Sequence, residues 1–359
     1  MSERRLATVR RVEEISPIEG SDFLELLTVD GWNAVVPKSD GHAVGDLVVY
    51  CETDSFLPIW PEFQFLEKSS LRKMLTPEGN RTGYRLRTIK LRGQISEGLV
   101  IPLVYEEDEN QWWLKMDSQD LEVTVEEGDE VTNLLNIIKW ELPVHASLAG
   151  KVRGNFPSFL RKTDSERIEN FIKDFNRKYR NDTWEETTKL DGSSFTAYLK
   201  DEEFGVCSRN LDLAESEGNS FWIAARKNEL ELKLVATGKI FGFPNLAVQA
   251  ELMGPGVQGN REGLPDLDIY VFDIYDIDNH TKIDAETRHR MVDFMKLKHV
   301  PFHGFHKLSE LQTAKAFLER AEGPSINHKF REGTVYKSVE NPNVNFKAIA
   351  NSFKLADKS

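Results

Sequence analysis

The chain holds only two cysteines, Cys51 and Cys207, in 359 residues. That excludes a disulfide framework and a cysteine zinc site. No apolar run reaches the roughly 18 residues a membrane-spanning helix needs, so no membrane partner is expected. The first residues, MSERRLATVRRVEE, lack the apolar stretch of a secretory signal. The expected address is a reducing, cytoplasmic compartment. Internal repeats and low-complexity tracts are absent as well. What is present, 40% hydrophobic and 29% charged residues, suits packed cores rather than a disordered tail. The length of 359 residues suits two domains at roughly 100–200 residues each.

A net charge of −13 argues against a nucleic-acid binder until its distribution is read. Residues 1–105 hold 13 basic and 15 acidic side chains, residues 106–150 hold 2 and 12, and residues 151–359 hold 31 and 32. The excess acid therefore lies in one short segment. Two stretches run the other way: Arg72–Arg92 has seven basic residues against Glu78, and Lys151–Arg180 has nine against four. Separated blocks of opposite sign leave room for a positive surface on an acidic chain.

Residues 1–105 read as short strands. Leu24–Val29 and Trp32–Val36 flank Asp30-Gly31, a strong hairpin signal. Gly45–Tyr50, Tyr84–Leu91 and Gly98–Pro102 follow, and this strand density suggests a small OB-like barrel. Alternation slips phase near Thr88, which predicts a bulge or register shift. Residues 106–162 read as an acidic connector with some strand of its own. A helix is expected from Thr163, spaced with Glu166 as a capping box, with Ile168, Phe171, Ile172 and Phe175 on one face. Beyond it, helices are expected at 220–234, 286–298 and 309–321, and strands at 194–199, 246–252, 268–275 and 333–338. The fold class is α+β: a barrel over 1–105, then a domain of antiparallel sheets and helices over 163–359.

The informative stretch is Thr188-Lys189-Leu190-Asp191-Gly192-Ser193-Ser194, a lysine at a strand end beside an Asp-Gly turn. Downstream, in order, come Ser208-Arg209-Asn210, Gln249-Ala250-Glu251-Leu252, Tyr270-Val271-Phe272-Asp273, Glu332-Gly333-Thr334-Val335-Tyr336-Lys337 and Phe346-Lys347-Ala348-Ile349. Each is weak alone. The ordered series, from Lys189 to Lys354, resembles the motifs of the covalent nucleotidyltransferases: DNA ligases, RNA ligases and messenger-RNA capping enzymes.

The resemblance implies Lys189 as the nucleophile that attacks the α-phosphate of ATP. A free lysine titrates near about 10.4, so such a site must depress its pKa. Lys337 and Lys347 would hold the α-phosphate, Phe272 would pack on the purine, and Arg209 would contact ribose or phosphate. Asp191, Gly192, Glu251 and Glu332 complete the implied nucleotide site. Glu251 and Glu332 would serve Mg²⁺ or Mn²⁺, directly or through water, since a hard cation prefers oxygen ligands. One departure stands: related RNA ligases carry a second basic residue two places after the lysine matched by Lys347, and here that place is Ile349, with Lys354 further on. Glu332 and Lys337 also differ in strand parity, so they share a cleft only if Gly333 breaks the pleat.

Two further patterns read as decoys. Gly254–Gly259 satisfies G-x-G-x-x-G, but a loop rather than a helix follows it. His299, His303 and His306 are interrupted by Pro301 and Gly304, with no carboxylate close in sequence.

The chain ends 12 residues after Lys347, too few for the OB domain that DNA ligases and capping enzymes place there. A barrel in front and none behind resembles the group of ATP-dependent RNA ligases that joins a 3′-hydroxyl to a 5′-phosphate at nicks in duplexes with an RNA 3′-OH end. An RNA-repair ligase acting as a monomer is the leading expectation, with Arg85, Arg87, Lys90 and Arg92 gripping the nucleic acid. A DNA ligase, a GTP-using capping enzyme and a catalytically inactive nucleic-acid-binding protein remain as alternatives.

Overall fold

The computed structural model describes residues 5–76, 79–140 and 152–356. Two units make up the chain, Met1–Pro143 and Val144–Ser359.

In the first unit the apolar run Leu47–Glu52 organises the rest. Its strand is buried along its whole length, and successive side chains point to opposite faces. Val48 and Tyr50 enter one core with Leu27, Trp32 and Val100. Leu47, Val49 and Cys51 enter another with Phe63, Tyr84, Leu114 and Val125. The strand pairs antiparallel with Ala7–Arg11 on one side and Gly98–Pro102 on the other. Strands Glu14–Pro17, Leu24–Val29 and Trp32–Pro37 form a meander. Its second turn is Asp30-Gly31, with φ of 47° and 79° as a two-residue hairpin requires.

Two expectations give way here. Tyr84–Leu91 is not one bulged strand: Gly79–Arg85 ends, and Ile89–Leu91 opens a separate hairpin with Gln94–Ser96, turning at Arg92-Gly93. The phase slip near Thr88 marks that break. Nor is 106–140 a connector. Strands Val104–Glu106, Gln111–Met116 and Leu121–Val125 form a sheet, and Leu114, Met116, Val125, Val131, Leu135 and Ile137 complete the second core. The acidic residues Glu122, Glu126, Glu127, Asp129 and Glu130 are exposed on it. Composition registered that outer skin and missed the core beneath. Residues 141–151, including the Lys151 that opens the second basic stretch, lie outside the described residues, as does Glu78 of the first.

In the second unit an eight-stranded sheet has Ser193–Lys200, Leu246–Met253 and Asp268–Asp276 as consecutive neighbours. A five-stranded sheet runs in the order Glu166–Arg167, Asn345–Ile349, Gly333–Ser338, Thr183–Lys189, Phe302–Lys307. Phe195, Ala197, Val248 and Ala250 of the larger sheet pack against helices Ser220–Lys227, Leu230–Phe241 and Ala285–Phe294. Trp184, Tyr336 and Phe346 of the smaller sheet pack against Ile168–Asp174 and Ala314–Arg320. On the opposite face of the larger sheet, Tyr198, Ala247 and Tyr275 pack on Leu160 at one end, and Gln249 and Glu251 follow along the same strand, so one strand serves a core and a cleft in alternation.

The first helix starts at Ile168, not Thr163. Thr163 Oγ1 bonds Ser194 Oγ at 2.9 Å, and Glu166–Arg167 pairs parallel with Phe346–Lys347. The apolar spacing holds, since Ile168, Ile172 and Phe175 are buried. The helix expected over 220–234 is two, broken at Asn228 and Glu229, and the second reaches Phe241. Among the described residues no helix is long and apolar enough to cross a membrane.

Phe317 is fully buried, with ring centroids 5.0 Å from Phe175 and 5.3 Å from Phe346. Phe317→Ala leaves a cavity where the Ala314–Arg320 helix docks. It is expected to cost about 3–5 kcal/mol, read as a lower urea midpoint for the second unit.

Candidate active site

Lys189 ends one strand of the smaller sheet, and Asp191-Gly192 turns the chain into Ser193–Lys200 of the larger one. One lysine thus stands where the two sheets join. Gly192 tolerates no side chain, because a Cβ would lie 2.4 Å from the Leu252 carbonyl oxygen and 2.9 Å from Glu251 Cγ. That approach lets Gly192 N–H donate to Glu251 Oε1 at 3.0 Å.

Register brings in the rest. Lys189 pairs with Gly333, and Lys189 Nζ donates to Glu332 Oε2 at 2.7 Å. The pairing from Gly333 to Lys337 is unbroken, so no bulge reconciles Glu332 with Lys337. Glu332 escapes the alternation because it precedes the strand. Gly333 matters for another reason: a Cβ there would sit 2.0 Å from the Ala348 carbonyl oxygen. The pairs Glu185↔Lys337 and Val335↔Lys347 then put Lys189, Lys337 and Lys347 on one face.

On the larger sheet, Gln249 pairs with Asp273 but Ala250 with Val271, which leaves Phe272 as the extra residue of a bulge. The bulge shifts Asp273 onto the face of Gln249 and Glu251. There Lys337 Nζ donates to Asp273 Oδ1 at 2.7 Å and to the Phe272 carbonyl, and stands 5.6 Å from the centroid of the half-buried Phe272 ring.

The charges are strongly coupled. Burial pulls the Lys189 amine down, but Glu332, Glu251 and Asp191 more than reverse this and hold it above the ordinary lysine range. The depressed amine that the resemblance implies is therefore not the state of the free site. Glu251 is pushed up to about 8 by burial, with the Glu332 and Asp191 carboxylates adding to the Lys189-opposed rise. Burial brings Lys337 down to about 8, with Asp273 opposing. Burial alone would raise Asp273, yet Lys282, Lys337 and Arg288 hold it far below the usual carboxylate range.

Sequence reasoning missed this lower layer: Asp273, Glu185, Lys282 and Arg288. Arg288 binds both oxygens of Glu185, and Lys282 Nζ lies 2.7 Å from Asp273 Oδ2. The available signal was an acid inside an apolar strand, Tyr270-Val271-Phe272-Asp273-Ile274. Arg261 was also missed. Its guanidinium lies 4.0 Å from Asp191 Oδ2 and 4.6 Å from the centroid of the Phe353 ring.

Other expected residues lie elsewhere. Arg209 is exposed and engaged with Asp164 Oδ1 at 2.6 Å rather than with the Lys189 group. Lys354 is buried and 3.2 Å from Glu169 Oε1, so it does not replace a base at Ile349. Arg85 is buried, 3.4 Å from Asp54 Oδ1 and 5.2 Å from the Trp140 ring centroid, which makes it an internal cation rather than a phosphate contact. Arg87 is half-buried, whereas Lys90 and Arg92 are exposed on their hairpin.

The fold does bring a carboxylate to His299. Donor atoms of Glu185, His289 and His299 lie within 4.8 Å of one another, although Arg288 already occupies the Glu185 oxygens. His303 faces the other way, with Nε2 2.8 Å from Thr188 Oγ1. Gly254–Gly259 is a loop: a turn at Pro255-Gly256, closed by Val257 N–H donating to the Gly254 carbonyl, leads into one short helical turn at Gln258–Asn260.

A lysine surrounded by carboxylates between two such sheets, with further lysines aligned by register, is the architecture of a nucleotidyltransferase domain. Comparison with known proteins agrees. A family model described as "OB-fold domain" matches residues 6–103, and one described as "RNA ligase" matches 182–356. A mutant Naegleria gruberi RNA ligase solved with ATP and Mn is 37% identical, with TM-score 0.84 over 99% of this chain and 100% of that one. The same ligase with PPi is 38% identical, TM-score 0.83, over 98% of each chain. A mutant with AMP and Mn is 37% identical, TM-score 0.82, again over 98% of each. Comparison with curated protein sequences gave no match. The chain belongs to the RNA ligase family.

Glu251 gives the site a pH signature. Its pKa is raised from 4.5 to about 8 by folding, so between those values the folded chain binds more protons than the unfolded one. Stability therefore falls as pH rises through that window. Without nucleotide or metal, the melting temperature should drop from about pH 5 to about pH 8 more steeply in the native chain than in Glu251→Gln. Parallel melting curves would contradict the assignment.

Proposed function

We propose that the chain seals RNA ends with ATP through a covalent Lys189–AMP intermediate, at nicks whose 3′-hydroxyl strand is RNA, in the service of RNA repair. The observation that carries this reading is the Lys189 amine, 2.7 Å from Glu332 and on the same face as Lys337 and Lys347. Lys189 Nζ forms a bond to the ATP α-phosphorus as the bond to pyrophosphate breaks. The RNA 5′-phosphate then takes AMP from the lysine, and the 3′-hydroxyl displaces AMP from the adenylated end. Lys337 and Lys347 offset the charge on the α-phosphate, and Phe272 offers its ring to the purine.

Glu332 Oε2 holds a proton of the Lys189 ammonium, and that proton must leave before the amine attacks. Glu251, Glu332 and Asp191 surround a single amine, and this all-oxygen donor set fits Mg²⁺ or Mn²⁺ directly or through water. When bound, such a cation supplies positive charge to these carboxylates and to the phosphates.

With α-labelled ATP and Mn²⁺, the native chain should retain acid-labile label, and Lys189→Ala should retain none. Labelling by GTP alone would move the chain to capping chemistry. No label from either nucleotide would favour an inactive binding protein.

Lys90 and Arg92 are exposed on their hairpin and are the cations of the first basic stretch taken here to meet phosphate. Their double replacement by alanine should flatten the salt dependence of RNA binding by about one to two log units per log salt. Lysyl-AMP formation should be unaffected. An unchanged slope would place the grip elsewhere.

A further inference from the structure

The strand Phe302–Lys307 forms one end of the smaller sheet, next to the strand that ends in Lys189. Residues three apart on a regular strand face opposite ways. Here the register shifts between Glu186 and Thr187, so that Thr187 pairs with Phe302 and Glu185 with Phe305. Gly304, at φ +121°, makes the shift possible. Both phenylalanines consequently project from the face that carries Lys189, 42% and 49% exposed, with ring centroids 5.1 Å apart. Phe302 stands one strand over and two residues back from Lys189, ~5 Å across and ~7 Å along.

The rings are braced from below. Phe302 meets His289 edge-on at 5.0 Å, and His289 stacks on His299 at 4.4 Å. His289 Nε2 lies 2.9 Å from Glu185 Oε1, which the buried Arg288 also holds. A column of rings anchored on an ion pair thus presents a preorganised aromatic surface. Further along the strand, Lys307 is 61% exposed, its Nζ donating to the Asn181 carbonyl at 2.6 Å and standing 3.8 Å from Glu340 Oε1. A register shift and a lysine on an edge strand oppose the addition of another protein strand, and they leave the ring faces open.

We propose that Phe302 and Phe305 form a stacking platform for a terminal nucleobase of the RNA at the junction. This deepens the nick-sealing reading and rests on it. A nick interrupts base stacking, so a base on each side of it has an exposed π-face. Aromatic side chains accept such faces irrespective of sequence. The platform lies on the face to which the reacting end must come.

The test is an equilibrium without ATP, using the full chain and a fluorescent nicked RNA duplex, intact or abasic at either junction nucleotide. Replacing both rings (Phe302→Ala with Phe305→Ala) should weaken binding of the intact nick by about 5- to 100-fold. On the duplex abasic at the stacked nucleotide, the same double variant should cost almost nothing, because ring and base act through each other. An equal loss on every duplex would overturn the proposal, since it signals a purely structural effect. So would unchanged affinity, or a shift from dimer to monomer on sedimentation, which would mean that the rings meet a second copy. Lysyl-AMP formation, measured separately, tells whether the sealing reading itself fails. It should be the same in the native chain and the variant.

Discussion

The contact between Lys337 and Asp273 holds the second unit's two sheets in working relation. Both side chains are buried, and a buried charge is tolerated only when paired and hydrogen-bonded. Asp273 takes Lys337 and Lys282, while Arg288, bound to Glu185, lies 3.8 Å from Asp273. Removing a single member leaves an uncompensated charge in the interior. The arrangement therefore fixes how far apart the sheets stand, and with that the position of Lys337 relative to Lys189 and the Phe272 ring. Charge that would be costly in an ordinary core sets the geometry of a site here.

Much of that site was legible because the motifs of the covalent nucleotidyltransferases, which this chain resembles, bring particular residue types in a fixed order. Lys189, Asp191, Glu251 and Glu332 converge as the motif series implies. What stayed hidden depends on irregular backbone. Asp273 reaches the cleft only through the bulge at Phe272, and Phe302 joins Phe305 only through the shift at Gly304. Strict alternation assigns such residues to the wrong face. Arg85 failed for the opposite reason: charge density is blind to burial, and a cation inside a basic stretch can belong to the interior. Arg209 was assigned by the resemblance and is engaged by Asp164, while Lys354, the next base beyond Ile349, is held by Glu169.

In the first unit the hairpins and short strands were readable from turn residues and alternation. The extent of the unit was not, because the segment that completes it is acidic on its exposed positions and apolar only at intervals. The decisive hint lay upstream. Leu47-Val48-Val49-Tyr50-Cys51 alternates nothing, as expected of a strand buried on both faces. A barrel ending at residue 105 would leave one of those faces bare.

The same two-sided strand separates charge in space. Its Val48–Tyr50 face carries the core of the meander, to which the hairpin with Lys90 and Arg92 is tied through Ser96 Oγ and Val35 N. Its other face carries the core roofed by Gln111–Met116 and Leu121–Val125, where the exposed carboxylates cluster. A polyanion near this unit thus meets repulsion from the roof and attraction from the hairpin. Ionic screening confines both to about 8 Å at physiological salt, so they act as a docking filter at close range rather than as a long-range beacon. The net charge of the whole chain therefore says little about this unit, since the face that a polyanion approaches decides the sign of the force.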